Sequence, residues 1–273
     1  MSTVDVYRIT DKLDQTTLDV LVARLEARGK HPRVIQMIGE YLDAMNIDGA
    51  QDVLDIGCGT GVVSRAIARR PGFGGRIIGI DLSPYLTHAA ARLAGAEGLS
   101  DRIDFRTGDS HILGIPERSL DAVIAHTLLS HVDDPGAVLG EIYRILKPGG
   151  TAAIFDGDFA SMTFASSDPS QGKRDEERII NSIVTQPRVM RQMPELLLQA
   201  GLKLVKSFPY IVADVGKMDY WTPGIESFRK VLPKSGAMSQ QEADRWADAM
   251  VERSNQGTFF GASNFYTYLA KRA

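Results

Sequence analysis

One cysteine, Cys58, in 273 residues excludes an internal disulfide and a cysteine-built metal centre; no metal is expected, and a reducing, cytoplasmic setting is. Charge of one sign never accumulates. The 31 basic and 34 acidic residues leave a formal charge of −3, and basic pairs such as Arg69-Arg70 and Arg229-Lys230 do not lengthen into a run. A nucleic-acid partner, which needs a basic footprint, is therefore not expected. No uncharged stretch approaches the roughly 18 apolar residues of a membrane-spanning helix, so no integral membrane segment is expected. The opening Met1-Ser2-Thr3-Val4-Asp5 has neither basic flank nor apolar core, so no signal peptide is expected either. What is present is ordinary globular material, 44% hydrophobic and 24% charged, long enough for one large domain or two small ones. Oligomeric state is left open.

Two helical patterns open the chain. Leu13, Leu18, Leu21, Val22 and Leu25 repeat at helical spacing before Gly29, and Val34, Ile35, Ile38, Leu42 and Met45 do so after Pro32. The period then changes. Short apolar runs at 52–56, 76–81, 103–107, 120–126 and 151–156 alternate with helices at 62–70, 83–93 and 134–146, and Lys147-Pro148-Gly149-Gly150 reads as a turn. Such alternation predicts an α/β fold with a doubly wound, mostly parallel sheet. Beyond Asp156 the pattern predicts a loop over 157–172, a charged helix over 173–185 and a helix opened by Pro194 over 194–200. Strands over 203–210 and 265–269 complete the sheet, with helical stretches near Ser227 and over 239–254. The expected organisation is a helical cap over 1–50 and one domain over 51–273, with lid insertions at 157–185 and 214–258.

Ligands of doubly wound sheets bind beyond the carboxyl ends of the strands. The sharpest feature there is Val53-Leu54-Asp55-Ile56-Gly57-Cys58-Gly59-Thr60-Gly61, a strand entering a glycine loop on which backbone can approach a ligand closely. Asp81 ends the next strand, where a carboxylate can accept both hydroxyls of a ribose. Asp109-Ser110 follows the third strand and could read an adenine edge. The same geometry binds NAD, and an NAD-dependent oxidoreductase stays open as an alternative. Its fingerprint wants Gly or Ala where Val62 stands, and Asp55 sits badly beside a pyrophosphate. A carboxylate there suits a ligand that brings a cation, which favours S-adenosylmethionine.

Val53 to Gly61, Ile80-Asp81-Leu82-Ser83, Gly108-Asp109, Leu120-Asp121-Ala122-Val123 and Leu146-Lys147-Pro148-Gly149-Gly150 resemble, in order, the motifs of class I S-adenosylmethionine-dependent methyltransferases. The pattern is most similar to the small-molecule enzymes of ubiquinone and menaquinone synthesis, and it spans about residues 50–156. The resemblance implies a Rossmann-like fold and S-adenosylmethionine as cofactor. By the same likeness, Gly57, Cys58 (through its backbone) and Gly59 would lie on the methionine part and Asp55 near its amino group. Asp81 would hold the ribose, Leu82 would pack on adenine, Asp109 and Ser110 would read the base, and His126 would sit near the sulfonium. The Asn/Asp-Pro-Pro-Tyr sequence of nitrogen-directed methyltransferases is replaced by Ala125-His126-Thr127-Leu128, a second argument against nucleic acid.

The catalytic residues are not legible in the sequence. His126 and Asp158 are the candidates, while His131 reads as a helix entrance and hence structural. Asp156, Trp221 and Phe260 are candidates for the acceptor side. Of 20 aromatic residues, 14 lie at or after Phe155, which fits a lid over a small, apolar or aromatic acceptor. A non-catalytic protein that keeps the cofactor pocket is the remaining alternative.

Overall fold

The computed structural model describes residues 5–273; Met1 to Val4, on which the signal-peptide expectation mostly rests, lie outside the described residues. The strands are β1 (Asp52–Ile56), β2 (Arg76–Asp81), β3 (Ile103–Thr107), β4 (Leu120–His126), β5 (Leu146–Phe164), β6 (Leu202–Gly216) and β7 (Phe259–Arg272). They form one sheet in the order β3-β2-β1-β4-β5-β7-β6. The first five pair in parallel, while β7 runs antiparallel to both β5 and β6. The strand order reverses between β1 and β4, which opens a crevice at their carboxyl ends.

Apolar runs such as Val53-Leu54 and Val123-Ile124 are buried because helices cover both faces of the sheet. One face packs on α2 (Pro32–Ala44) and α3 (Val62–Ala68), the other on α5 (Pro135–Ile145) and α7 (Val189–Gln199). Asp121 explains much of two motifs. Its carboxylate accepts from the backbone N–H of Gln51 and of Asp52, each at 3.0 Å, and from Lys147 Nζ at 2.7 Å. It ties together the starts of three neighbouring strands, at the end of the sheet opposite the crevice. The Lys-Pro-Gly-Gly stretch, expected as a turn, instead opens β5 as an irregularity in its pairing with β4, where Gly149 takes φ +79°, a left-handed conformation that side chains resist.

The first helix, α1 (Gln15–Gly29), is anchored to the sheet by a buried guanidinium. Arg65 of α3 binds Glu26 of α1 at 2.5 Å and Glu97, just past α4 (Pro84–Ala96), at 2.6 Å. Removing one partner of such a buried group leaves an uncompensated charge, typically costing about 3–5 kcal/mol. This clamp holds α1 across the crevice mouth.

Three expectations are corrected beyond Asp156. Residues 157–164 are not loop: β5 continues to Phe164. The alternation fails there because the register slips between Asp158 and Thr163, where residues 159–162 stand opposite the single residue Ser263. Ser161 Oγ fills the gap by accepting from Asn264 N–H at 2.8 Å. Second, the helix expected over 194–200 begins earlier, and Pro194 lies inside it. Proline lacks the N–H that Met190 carbonyl would receive, and Tyr268 Oη donates to that carbonyl instead at 3.0 Å. Third, β6 and β7 are far longer than the expected strands because they pair with each other along nearly their whole length.

The charged helix is α6 (Pro169–Ile183), and the later insertion forms α8 (Thr222–Lys234) and α9 (Gln240–Asn255). Met162, Phe164, Ile179, Trp221, Phe228 and Phe259 belong to a separate apolar core between these segments. Much of the aromatic excess is therefore packing.

Candidate functional site

A cavity of about 470 Å³ runs from the glycine loop, past the ends of β1, β2 and β4, to the segment before α1. At the loop end Gly57, Gly59 and Gly61 have φ of +66°, +54° and +76°. A Cβ on Gly57 would come within 2.8 Å of Leu128 Cδ1, and one on Gly59 within 3.2 Å of Leu25 Cδ1. Glycine is required because α1 and the segment after β4 close on the loop from two sides. Gly57 and Cys58 N–H both donate to Ile80 carbonyl, at 2.7 and 3.0 Å, which fixes the loop to β2. Burial pushes the Cys58 thiol far up, so it stays protonated and unreactive. Thr60 Oγ1 is buried in this wall without a hydrogen-bond partner.

Three carboxylates border this end. Asp55 is buried, and its Oδ2 accepts from Ser64 N–H at 3.1 Å and Ser64 Oγ at 2.6 Å, capping α3 from β1. Burial raises its pKa to about 7. Asp81 accepts from Gly59 N–H and from Ser83 N–H, each at 2.9 Å, one on each oxygen. Burial raises its pKa as well, against those two bonds. Asp109 accepts from its own loop, His111 N–H at 2.9 Å, and contacts His111 Nδ1 at 2.7 Å. Leu82 and Ser110 line the wall beside them.

His126 also lines the cavity, but as a fixed ring. It stacks on Phe155 with centroids 4.3 Å apart, and its Nδ1 receives the hydroxyl of buried Tyr41 at 3.0 Å. Burial, with Arg28 nearby, pushes it well below its ordinary pKa. That direction favours the neutral imidazole. Thr127 follows in the left-handed region at φ +53°, rare for a β-branched residue. Its N–H donates to Phe155 carbonyl at 2.7 Å, and the bend turns Leu128 towards Gly57.

The far end holds His131, Arg24, Arg28, Tyr7 and Phe159. His131, read from the sequence as structural, lies in this wall with Nδ1 2.9 Å from Asp5 Oδ2. Burial lowers its basicity, but the carboxylates of Asp5 and Asp156 outweigh this and hold its pKa above the ordinary value. Phe159 arrives from the β5 bulge. These groups were missed because none stands in a motif; the only signal was helical spacing, which places Arg24 and Arg28 on one face of α1.

The other candidates lie elsewhere. Asp158 is nearly buried and held by Arg191, whose Nη2 lies 2.9 Å away, and it does not border the cavity. Asp156 is fully buried, accepting from Ser130 N–H and Oγ at 3.0 Å and from Gly157 N–H at 2.8 Å. It ties the segment after β4 to the middle of β5. Trp221 is buried with Nε1 donating to Gly261 carbonyl at 3.0 Å, and it borders only a side cavity of about 50 Å³. Phe260 points outward, 40% exposed, and borders neither cavity.

Residues 54–154 match the methyltransferase domain family, and they contain β1, the glycine loop, Asp81 and β4. The chain carries a class I methyltransferase domain. A protein of transposon Tn4556 from Streptomyces fradiae, itself uncharacterised, is 28% identical over 232 residues, 84% of this chain and 65% of its own length. The sterol 24-C-methyltransferase of Aspergillus fumigatus is 36% identical over 112 residues, 41% of this chain and 29% of that one. This chain thus spans under two thirds of the transposon protein and under a third of the sterol enzyme. A solved geranyl diphosphate methyltransferase in complex with GPP and sinefungin has the same fold, with a TM-score of 0.55 at 17% identity, over 88% of this chain and 80% of that chain. Outside its matched residues the methyltransferase domain is extended by α1, α2, β6 to β7 and α8 to α9. Among the described residues no group of histidine, cysteine and carboxylate side chains could hold a metal, and no helix is long and apolar enough to cross a membrane.

Proposed function

We propose that this chain transfers a methyl group from S-adenosylmethionine to a small acceptor bound at the Arg24–His131 end of the cavity. The observation that carries this reading is Thr60 Oγ1, a buried hydroxyl without a partner, set in a loop stripped of side chains and facing a cavity that Asp81 borders. An unpaired buried hydroxyl is costly unless a ligand completes it. Gly57 and Gly59 would lie against the methionine part, with the Cys58 backbone between them and Asp55 near its amino group. Asp81 keeps lone pairs for a ribose diol; Leu82, Asp109 and Ser110 would meet the adenine. Val62, standing where a dinucleotide-binding loop wants Gly or Ala, weighs against NAD.

When bound, S-adenosylmethionine supplies an electrophilic methyl, whose bond to sulfur breaks towards sulfur as the acceptor lone pair forms the new bond. The chain's own contribution is orientation and exclusion of water by α1, the residue 7–12 segment and Phe159. Where the acceptor nucleophile carries a proton, His131 is placed to take it at Nε2. Asp5 accepts from Nδ1–H, which fixes the tautomer that leaves Nε2 free. Arg24 and Asp156 are the other charged groups acting on this ring.

Isothermal titration tests the cofactor: S-adenosylmethionine and S-adenosylhomocysteine are expected to bind and NAD not to. NAD binding with no response to the other two would overturn the reading. Cofactor binding without turnover across a panel of acceptors would point to a non-catalytic protein.

A further inference from the structure

Three arginines line the cavity, Arg8, Arg24 and Arg28, while Arg65 and Arg191 lie outside its wall. Arg8 pairs with Asp133 at 2.8 Å, Arg65 with Glu26 and Glu97, and Arg191 with Asp158. Arg24 and Arg28 differ. They stand one turn apart on α1, both border the main cavity and the side cavity, and neither has a carboxylate partner among the described residues. Residues 1–4 bring no carboxylate either. Arg28 Nε and Nη2 are buried without any hydrogen bond, and Nη1 reaches only Thr127 Oγ1 at 3.3 Å. Arg24 has only rings for company, those of Phe228 at 4.9 Å and Tyr7 at 5.5 Å, and Arg28 lies 5.8 Å from the Phe265 centroid.

A guanidinium whose Nε and Nη2 are withdrawn from water, as in Arg28, beside the half-buried and equally uncompensated Arg24, is unfavourable unless an anion completes it. The cavity is polarised accordingly, with Asp55 and Asp81 at the loop end and Arg24 and Arg28 at the other. Resting on the methyl-transfer reading above, we infer that the acceptor carries a carboxylate or phosphate group bound by Arg24 together with Arg28, its apolar body lying on Phe159 in the main cavity. This replaces a purely apolar acceptor with an anionic amphiphile. The carboxylate of the cofactor has the same chemistry and can engage Arg28, which stands nearer the end of β4. Arg24 lies a turn farther away and serves the acceptor.

The two sources of anion separate in a titration of protein already saturated with S-adenosylhomocysteine, whose carboxylate then occupies whatever it needs. 2-Naphthoate and 2-naphthamide, matched in shape and differing in charge, are the probes. Naphthoate is expected to bind about tenfold tighter or more, as charge-assisted bidentate pairing requires. Arg24→Gln should erase that difference while the affinity for S-adenosylhomocysteine stays within about threefold, and Arg24→Lys should keep part of it. The retained cofactor affinity shows that the variant is folded. Equal binding of the two probes, binding of neither, or an undiminished preference in Arg24→Gln overturns the inference. Failure of S-adenosylhomocysteine to bind the parent protein is seen separately and sinks the cofactor reading itself.

Discussion

Asp5 and His131 stand 126 positions apart in the chain and meet at 2.9 Å, carboxylate to imidazole, in the wall of the cavity. The same carboxylate also holds Thr185 Oγ1 at 3.0 Å and the backbone N–H of Tyr7 at 2.9 Å. One buried side chain thus fixes the segment before α1, the end of α6 and the imidazole together.

Substituting His131→Asn should lower methyl transfer to an O–H or N–H acceptor by about 10²–10⁴-fold while leaving S-adenosylhomocysteine affinity nearly unchanged. The parent rate should rise with pH through a midpoint above the ordinary histidine value, because His131 must be neutral to accept a proton. Asp5→Asn removes the anion that favours imidazolium, so the midpoint should move to lower pH. A pH–rate profile of the three proteins checks this, and an unmoved midpoint in Asp5→Asn takes the dyad out of the proton transfer.

Asp81→Ala should weaken S-adenosylhomocysteine binding by about 1–3 kcal/mol, since the ribose hydroxyls and the N–H groups of Gly59 and Ser83 all lose an acceptor. Calorimetric titration reads the change directly. An unaltered affinity removes Asp81 from the cofactor site.

Asp55 makes stability depend on pH in the sense opposite to that of a salt-bridged acid. Its folded pKa of about 7 lies above the ordinary carboxyl value of 3.8, so between them the folded state holds a proton that the unfolded state has released. The cost is absent below the lower value, grows as pH rises, and is complete above the upper one. Asp55→Asn keeps an oxygen for Ser64 and has no proton to lose. Its melting temperature relative to the parent should therefore rise from pH 5 to pH 8, by the equivalent of at most about 4 kcal/mol. Parallel melting curves across that range would contradict the assignment.

Tyr268→Phe should destabilise the fold by about 1–2 kcal/mol, because the Met190 carbonyl loses the hydroxyl that replaces the missing proline N–H. Pro194→Ala in the same background should recover part of the loss by restoring the helical donor. Chemical denaturation of the single and double variants tests the coupling.

The first four strands were legible almost to the residue, since each carries an apolar run, whereas β5 was legible only over 151–156 of its full length. The glycine-loop end of the cavity was legible for the same reason: Gly57, Gly59, Asp81 and Asp109 sit within a few positions of a strand end, where a parallel sheet leaves little freedom. The later part was not. At the β5 bulge the period-2 signal is lost, and Pro194 looks like a helix start until Tyr268 is seen beside it. Asp156 and Asp158 stood at the expected place but are spent on Ser130 and Arg191, partners that sequence spacing cannot supply.

Sequence alone thus determined the layered α/β frame and the glycine loop, because both follow from local periodicity and from backbone geometry that only glycine adopts. Tertiary structure alone decided which charges were satisfied. It paired His131 with Asp5 and, among the described residues, left Arg24 and Arg28 without a carboxylate partner, because whether a charge is neutralised depends on side chains distant in the chain and on the water their packing removes.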